Sequence, residues 1–306
     1  LILLNSRLSF LNTDLDRGFG RLYSRPMAMQ GLSDPNVDHD ACGVGAVAAL
    51  KGRKTHALVA AGKDILINLS HRGACGCEET TGDGAGILIQ IPHRFFERET
   101  VKLGFRLPPE GQYGVGMVFL PKDPALAKRC EKTLEAIAAE EGHRVLGWRT
   151  PEVNASGLGA TALSGEPLVR QVFLDMGHGA VSQDDFERRL YLIRKRAENT
   201  VLAQGTESQS TFYICSLSCR TLIYKGMFIA YQLFDYFKEI DDPLVESALC
   251  LVHSRFSTNV MPRWDLAHPF RYLCHNGEIN TLQGNANWMK AREALFESDS
   301  FPGKKI

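Results

Sequence analysis

Three short clusters hold the residue types that can make and break covalent bonds. The first is Asp38-His39-Asp40-Ala41-Cys42-Gly43-Val44-Gly45. A thiol next to glycine at the head of an apolar run is small, accessible and firmly placed, as a nucleophile must be; a packed core cysteine fits the same residues. The second cluster runs His71-Arg72-Gly73-Ala74-Cys75-Gly76-Cys77 and then Thr80-Thr81-Gly82-Asp83-Gly84-Ala85-Gly86. Its alternating glycines let the backbone pass close to a ligand or to another loop. It is not read as a phosphate loop, because no Gly-Lys-Ser/Thr follows and Asp83 would repel a phosphate. Cys75 and Cys77 lack zinc spacing, and Cys215 and Cys219 do not supply a convincing second pair, so no zinc site is expected.

The third cluster is His253-Ser254-Arg255-Phe256-Ser257-Thr258-Asn259, followed by Trp264, His268-Pro269-Phe270 and His275-Asn276-Gly277-Glu278-Ile279-Asn280. Arg255 at the end of a strand can grip a carboxylate through two parallel N–H groups, or make a structural ion pair. The Asn276 side-chain amide and the Gly277 N–H can receive an oxyanion, or Asn276-Gly277 can close a hairpin.

The elements that must carry these clusters follow from periodicity. Residues 43–50, 87–91 and 113–120 are apolar runs that read as strands, with further strands over 172–175, 211–218, 221–224, 249–256 and 272–275. Ala57, Ala61, Ile65 and Leu69 recur every fourth residue and predict a helix ending near Ser70-His71-Arg72-Gly73. Pro92 suits a first turn ahead of Phe95-Phe96. Asp123-Pro124 supply an N-cap and a first-turn proline for a helix facing inward through Leu126, Cys130, Leu134 and Ile137, closed by Gly142. Ser182 precedes another helix, with Phe186, Leu190, Ile193 and Ala197 inward and Arg188, Arg189, Lys195 and Arg196 on a solvated face. Tight strand connections such as Ser218-Cys219-Arg220 predict stacked α and β layers with antiparallel sheets in one domain, rather than a doubly wound parallel sheet.

Composition excludes several classes of function. The 306 residues carry 35 Lys plus Arg against 35 Asp plus Glu, so there is no basic excess for nucleic acid. No apolar run reaches the roughly 20 residues that cross a bilayer. A chain of this size builds a core without staples, so most of the eight cysteines read as small core side chains in a reducing compartment. Residues 1–26 hold Arg7, Arg17, Arg21 and Arg25 beside an apolar start, but Asp14 and Asp16 argue against a transit peptide. They are read as a disordered extension, or as sequence upstream of a start near Met27 or Met29.

Taken together and in this order, the clusters resemble the class II glutamine amidotransferase domain of glutamate synthases, over residues 31–297. The arginine and Asn-Gly motifs are shared by other class II amidotransferases; Thr81-Gly82-Asp83-Gly84-Ala85-Gly86 and Asn276 through Thr281 point to glutamate synthases in particular. The resemblance implies an α+β fold, the four-layer αββα N-terminal-nucleophile hydrolase fold with two stacked antiparallel sheets. It implies an extension and propeptide over residues 1–41 and the amidotransferase domain over 42–306. Cleavage between Ala41 and Cys42 would free an α-amine with an ordinary pKa of about 7.7–8.0. That amine would act as base for the Cys42 thiol and then as acid for departing ammonia. With residues 1–41 attached, the chain is expected to be a precursor with little glutaminase activity. Arg255 is expected to hold the glutamine α-carboxylate with Thr258 as helper, and Asn276 and Gly277 to take the oxyanion. The family's aspartate for the substrate α-amine is expected past Ile306, and Asp299 falls too early for that role.

The same resemblance implies no cofactor and no metal in this segment, with FMN and an iron–sulfur cluster in downstream domains. The expected partners are L-glutamine, a downstream synthase domain that turns ammonia and 2-oxoglutarate into glutamate, and a small electron-donating subunit or ferredoxin. The expected location is the cytoplasm, with a plastid as the alternative. Two other readings stand beside this one: a class II amidotransferase serving a different ammonia acceptor, and a catalytically incomplete fragment.

Overall fold

The computed structural model describes residues 43–73, 78–177, 182–204, 212–255, 261–271, 273–274 and 281–296, together with the backbone of two strands near the start. Those two, β1 (Ile2–Leu4) and β2 (Leu8–Phe10), form an antiparallel hairpin that pairs with β3 (Val44–Ala48). The expected disorder is therefore corrected at residues 2–4 and 8–10. The pairing covers main-chain groups of β3 that an edge would leave bare.

Seven further strands, β4 (Ala85–Gln90), β5 (Tyr113–Leu120), β6 (Val145–Arg149), β7 (Leu168–Asp175), β8 (Tyr213–Ser218), β9 (Thr221–Gly226) and β10 (Leu249–Ser254), complete those described. One sheet has the order β2-β1-β3-β10-β4-β9 and the other β6-β7-β5-β8, and every described pairing is antiparallel. The tight turn at Ser218 to Thr221 joins strands of different sheets, so β8 and β9 are neighbours without sharing a ladder.

The helices are α1 (His56–Asn68), α2 (His93–Lys102), α3 (Pro124–Glu140), α4 (Ala160–Ser164), α5 (Gln183–Ala203), α6 (Gln232–Tyr236) and α7 (Leu282–Arg292). Local signals set α3 and α5 as read from the sequence. Asp123 accepts the Leu126 N–H at 2.8 Å and Ser182 accepts the Asp185 N–H at 3.1 Å, each satisfying a helix-end donor. Gly142 closes α3 with φ 84°. Cys130, Leu134 and Ile137 of α3, with Phe186, Leu190, Ile193 and Ala197 of α5, pack on Val118, Leu120, Val172 and Leu174 of the second sheet.

A second core cluster draws on both sheets, through Val47, Ile87, Ile89, Tyr224 and Val252 from one and Val115, Met117, Phe119 and Phe173 from the other. The sheets are thus stacked face to face with helices outside, the αββα arrangement expected. Three local expectations are corrected. The fully buried residues of α1 are Leu58, Val59, Gly62 and Leu66; of the expected row, Ala61 and Ile65 are half-buried against the same core, Leu69 is buried and Ala57 is exposed. Gly62 decides this: a Cβ there would lie 2.9 Å from Cys250 Cβ, so the helix rests on β10 through its glycine. Leu273 and Cys274 are not in a strand; Phe270 and Leu273 exchange main-chain hydrogen bonds in a closed turn, which uses the groups a sheet neighbour would need. The sequence reading also missed β6 and began β7 four residues late. No described helix is long and apolar enough to cross a membrane.

Candidate active site

The end of β10 gathers the described flanks of the sequence clusters. Its Ser254 N–H donates to Gly43 O at 2.8 Å, and the Arg255 N–H donates to Gly84 O at 2.7 Å. In the ladders, His253 faces Val44 on one side and Gly86 on the other. A Cβ on Gly73 would sit 3.1 Å from Ser254 Oγ, so the His71-Arg72-Gly73 turn abuts the same point. Residues distant in sequence therefore meet at one end of the first sheet: the neighbour of Cys42, the glycine loop and Arg255.

Arg255 is the one non-glycine residue with positive φ, 94°, among those described. A long side chain in that region costs on the order of 1–3 kcal/mol and marks a position held by its surroundings. Here the hold is the hydrogen bond to Gly84 and the Asp83 carboxylate, 3.9 Å from Arg255 Nε. The side chain is 29% exposed. The guanidinium is held on its inner side and open on another, which suits a bidentate grip on a small carboxylate.

The glycine loop is clamped from behind. Gln232 Nε2 donates to Thr80 O at 2.8 Å and to Gly157 O at 2.7 Å, while its Oε1 accepts the Ile229 N–H at 3.0 Å. Glu78 accepts from Thr81 Oγ1 and from Thr161 Oγ1, each at 3.0 Å, and these hydroxyls, Thr81 first, lower its pKa. Gly82 passes so close to the main chain at Phe228 that an added Cβ would lie 1.9 Å from Phe228 C. Backbone cannot yield as a flexible side chain can. Gly82→Ala is therefore expected to lower stability by about 1–3 kcal/mol, read as a fall in the urea midpoint.

Across the site runs the strap of residues 261–271. Trp264 anchors it, packed edge-on against Phe119 and Phe228 with its Nε1–H donated to Ala162 O at 2.9 Å. A Cβ on Gly86 would lie 2.3 Å from His268 O, so the glycine admits the strap's backbone onto β4. Arg271 is buried and paired with Glu187 of α5. His253, His268 and Cys274 offer ligand atoms within 4.8 Å of one another, the described group best suited to a soft cation. Lys225, across Gly86 from His253 in the ladder, and Arg255 place fixed positive charge beside it, which works against a dication.

The other described thiols are poor nucleophiles. Burial pushes Cys215, Cys219 and Cys250 up to about 12 and raises Cys130 as well, so all four stay protonated near neutral pH. They are the core side chains the sequence suggested. Of the site residues named from the sequence, Arg255 is placed as described; Cys42, Thr258, Asn276 and Gly277 lie outside the described residues, as do Cys75 and Cys77. Sequence reading assigned no role to Asp83, to Gln232 or to Lys225. The one available signal was a lysine closing the apolar run Leu222-Ile223-Tyr224.

Comparison with known proteins gives a match to the family described as "Glutamine amidotransferases class-II" over residues 42–306. The glutamate synthase (NADPH) large chain of Bacillus subtilis is 47% identical over 279 residues, covering 91% of this chain and 18% of that protein. The glutamate synthase (NADH) of Saccharomyces cerevisiae is 43% identical, over 89% of this chain and 13% of its own length. The ferredoxin-dependent glutamate synthase 1 of Arabidopsis thaliana, named as chloroplastic/mitochondrial, is 40% identical over 98% of this chain and 19% of its own. The chain spans less than a fifth of the length of these relatives.

Proposed function

Since the chain belongs to the class II glutamine amidotransferases, we propose that it hydrolyses L-glutamine to glutamate and ammonia with Cys42 as nucleophile, as the ammonia-producing part of a glutamate synthase. The observation that carries this is the junction at the end of β10. Gly43, covalently next to Cys42, accepts the Ser254 N–H, and the strained Arg255 follows directly. This junction supports the reading because Arg255, the proposed carboxylate clamp, and Gly43, the residue after the proposed nucleophile, share one short ladder end.

The chemistry is acyl transfer. Removal of residues 1–41 frees the Cys42 α-amine, whose lone pair, unlike that of an amide, can take the thiol proton. The sulfur adds to the side-chain amide carbon of glutamine while Arg255, helped by Thr258, holds the α-carboxylate. The Asn276 amide and the Gly277 N–H stabilise the oxyanion; losing one such donor costs on the order of 3 kcal/mol in barrier. The C–N bond breaks as the α-ammonium returns its proton to the leaving nitrogen. Water then cleaves the γ-glutamyl thioester, releasing glutamate and restoring the thiol.

In the longer protein, ammonia would pass to a synthase domain and combine with 2-oxoglutarate. FMN and the iron–sulfur cluster belong, on this reading, to that remainder, with NADPH, NADH or ferredoxin as electron source. A cytoplasmic location fits, or a plastid one as the plant relative's name says of that protein.

The test compares glutamate release from glutamine by protein beginning at Cys42 with release by protein retaining residues 1–41. Activity confined to the first, with Cys42 as the mature N-terminal residue by mass spectrometry, supports the reading; equal turnover by the unprocessed chain rejects the amine's role. Arg255→Lys keeps the charge and loses the fork. It is expected to raise KM for glutamine by about 10- to 100-fold with a smaller effect on kcat. An unchanged KM would remove Arg255 from the substrate.

A further inference from the structure

Lys225, the penultimate residue of β9, is fully buried, an expensive position for an ammonium. Its Nζ donates to Asp265 O and to Ala267 O, each at 2.8 Å, with Tyr213 Oη at 3.4 Å. The charge also lies over the Phe270 ring, 4.3 Å from its centroid, and over the Tyr213 ring at 4.7 Å. Both main-chain acceptors and Phe270 belong to the strap, which the chain follows toward Asn276 and Gly277. Among the described residues no carboxylate pairs with this lysine, and its donors are directed at the strap's backbone. Resting on the function proposed above, we propose that Lys225 is a positioning residue for glutamine hydrolysis: its buried ammonium pins the carbonyls of Asp265 and Ala267 and so fixes the strap where its His268 backbone rests on Gly86, beside the ladder end that carries Arg255.

The alternative, a lysine kept only for packing, makes different predictions. A methionine has nearly the same length and removes only the charge and its hydrogen bonds. Burying an unpaired charge is costly, so a purely structural lysine would be replaced with little loss. A pinning lysine would lose turnover without losing fold.

Titration separates the two further. Burial first of all lowers the Lys225 pKa, to about 8. The groups facing it are Tyr213 and Cys215 on β8, Arg194 and Glu198 on α5, and Asp265 on the strap, with His268 on the strap beyond Gly86. Cys215 is pushed up to about 12 and Tyr213 is raised further still, so neither ionises in the same range. Because the folded-state pKa is depressed, the unfolded chain binds more protons between about 8 and the ordinary lysine value, and stability from this group rises with pH there. A loss of turnover above pH 8 at Lys225 is therefore opposite in sign to unfolding.

The experiment measures kcat and KM for glutamine from pH 6.5 to 9.5, with circular dichroism in parallel, on native protein and on Lys225→Met. The expected result is an alkaline fall in native kcat near pH 8 with fold retained. In Lys225→Met, kcat at pH 7.5 should be lower by about tenfold, KM within about twofold, and the alkaline limb absent. Native kcat that stays level to pH 9.5, or a Lys225→Met protein with native kcat, overturns the positioning role while leaving glutamine hydrolysis intact. Should Lys225→Met fail to fold, Lys225→Arg replaces it: its guanidinium stays charged to pH 9.5, so the alkaline fall should disappear, and a fall unchanged in that variant overturns the role. Failure of the native protein to hydrolyse glutamine at any pH overturns the underlying function instead.

Discussion

Replacing Cys42 by alanine is expected to abolish glutamine hydrolysis, with residual turnover below about 10⁻⁴ of the native rate, because the proposed covalent route runs through that thiol. The other described core thiols cannot take over: Cys215, Cys219 and Cys250 are held protonated by burial, at about 12. Glutamine binding should persist, since Arg255 is on a different element and its hold comes from Gly84 and Asp83. The measurement is a coupled glutamate assay together with calorimetric titration of glutamine into Cys42→Ala. Turnover above about 1% of native would move the nucleophile elsewhere. Binding lost along with turnover would mean that the substitution had disturbed the ladder end rather than removed a sulfur.

Glu187→Ala is expected to cost about 3–5 kcal/mol of stability, the effect of removing one partner of a buried ion pair. Glu187 is the meeting point of three elements. One carboxylate oxygen accepts from Ser218 Oγ at 2.7 Å and from the Cys219 N–H at 2.5 Å, holding the turn between the two sheets. The other pairs with Arg271 of the strap. Alanine leaves the Ser218 and Cys219 donors without this acceptor and removes the countercharge from a guanidinium whose side chain is only 3% exposed. Glu187→Gln keeps an acceptor for the turn and loses the charge, so its loss should be intermediate. Urea unfolding followed by fluorescence reads both; a loss below about 1 kcal/mol for alanine would show that the pair contributes little.

The residues of the proposed site are read from the sequence, and of these Arg255 and the glycine loop lie among the described residues. Cys42 beside glycine, the alternating glycines of 82–86, Arg255 and Asn276-Gly277 are residue types whose chemistry is intrinsic, and their linear order alone carried the resemblance. The ends and inward faces of α3 and α5 were legible as well, because caps and helical periodicity depend on neighbours three or four residues away. The edge strand β6 escaped because Val145-Leu146-Gly147-Trp148 is only half-buried, is broken by glycine and ends on an inward Arg149. The face of α1 was read to one side of its centre, with Ala61, Ile65 and Leu69 at its margin, because Gly62, not a large side chain, is what meets β10.

By itself, then, the amino-acid order determined the chemistry available to this protein and the local elements that could carry it, since both are properties of residue type and short-range spacing. Only the tertiary structure decided that Gly43, Gly84 and Arg255 share one ladder end, that Gly82 has no room for a Cβ, that Glu187 answers Arg271, and that Lys225 grips the strap. Each of these joins residues far apart in sequence. No local pattern encodes such a pairing, because it exists only once loop closure and burial have brought the partners together and made an unmatched charge or an added methyl costly.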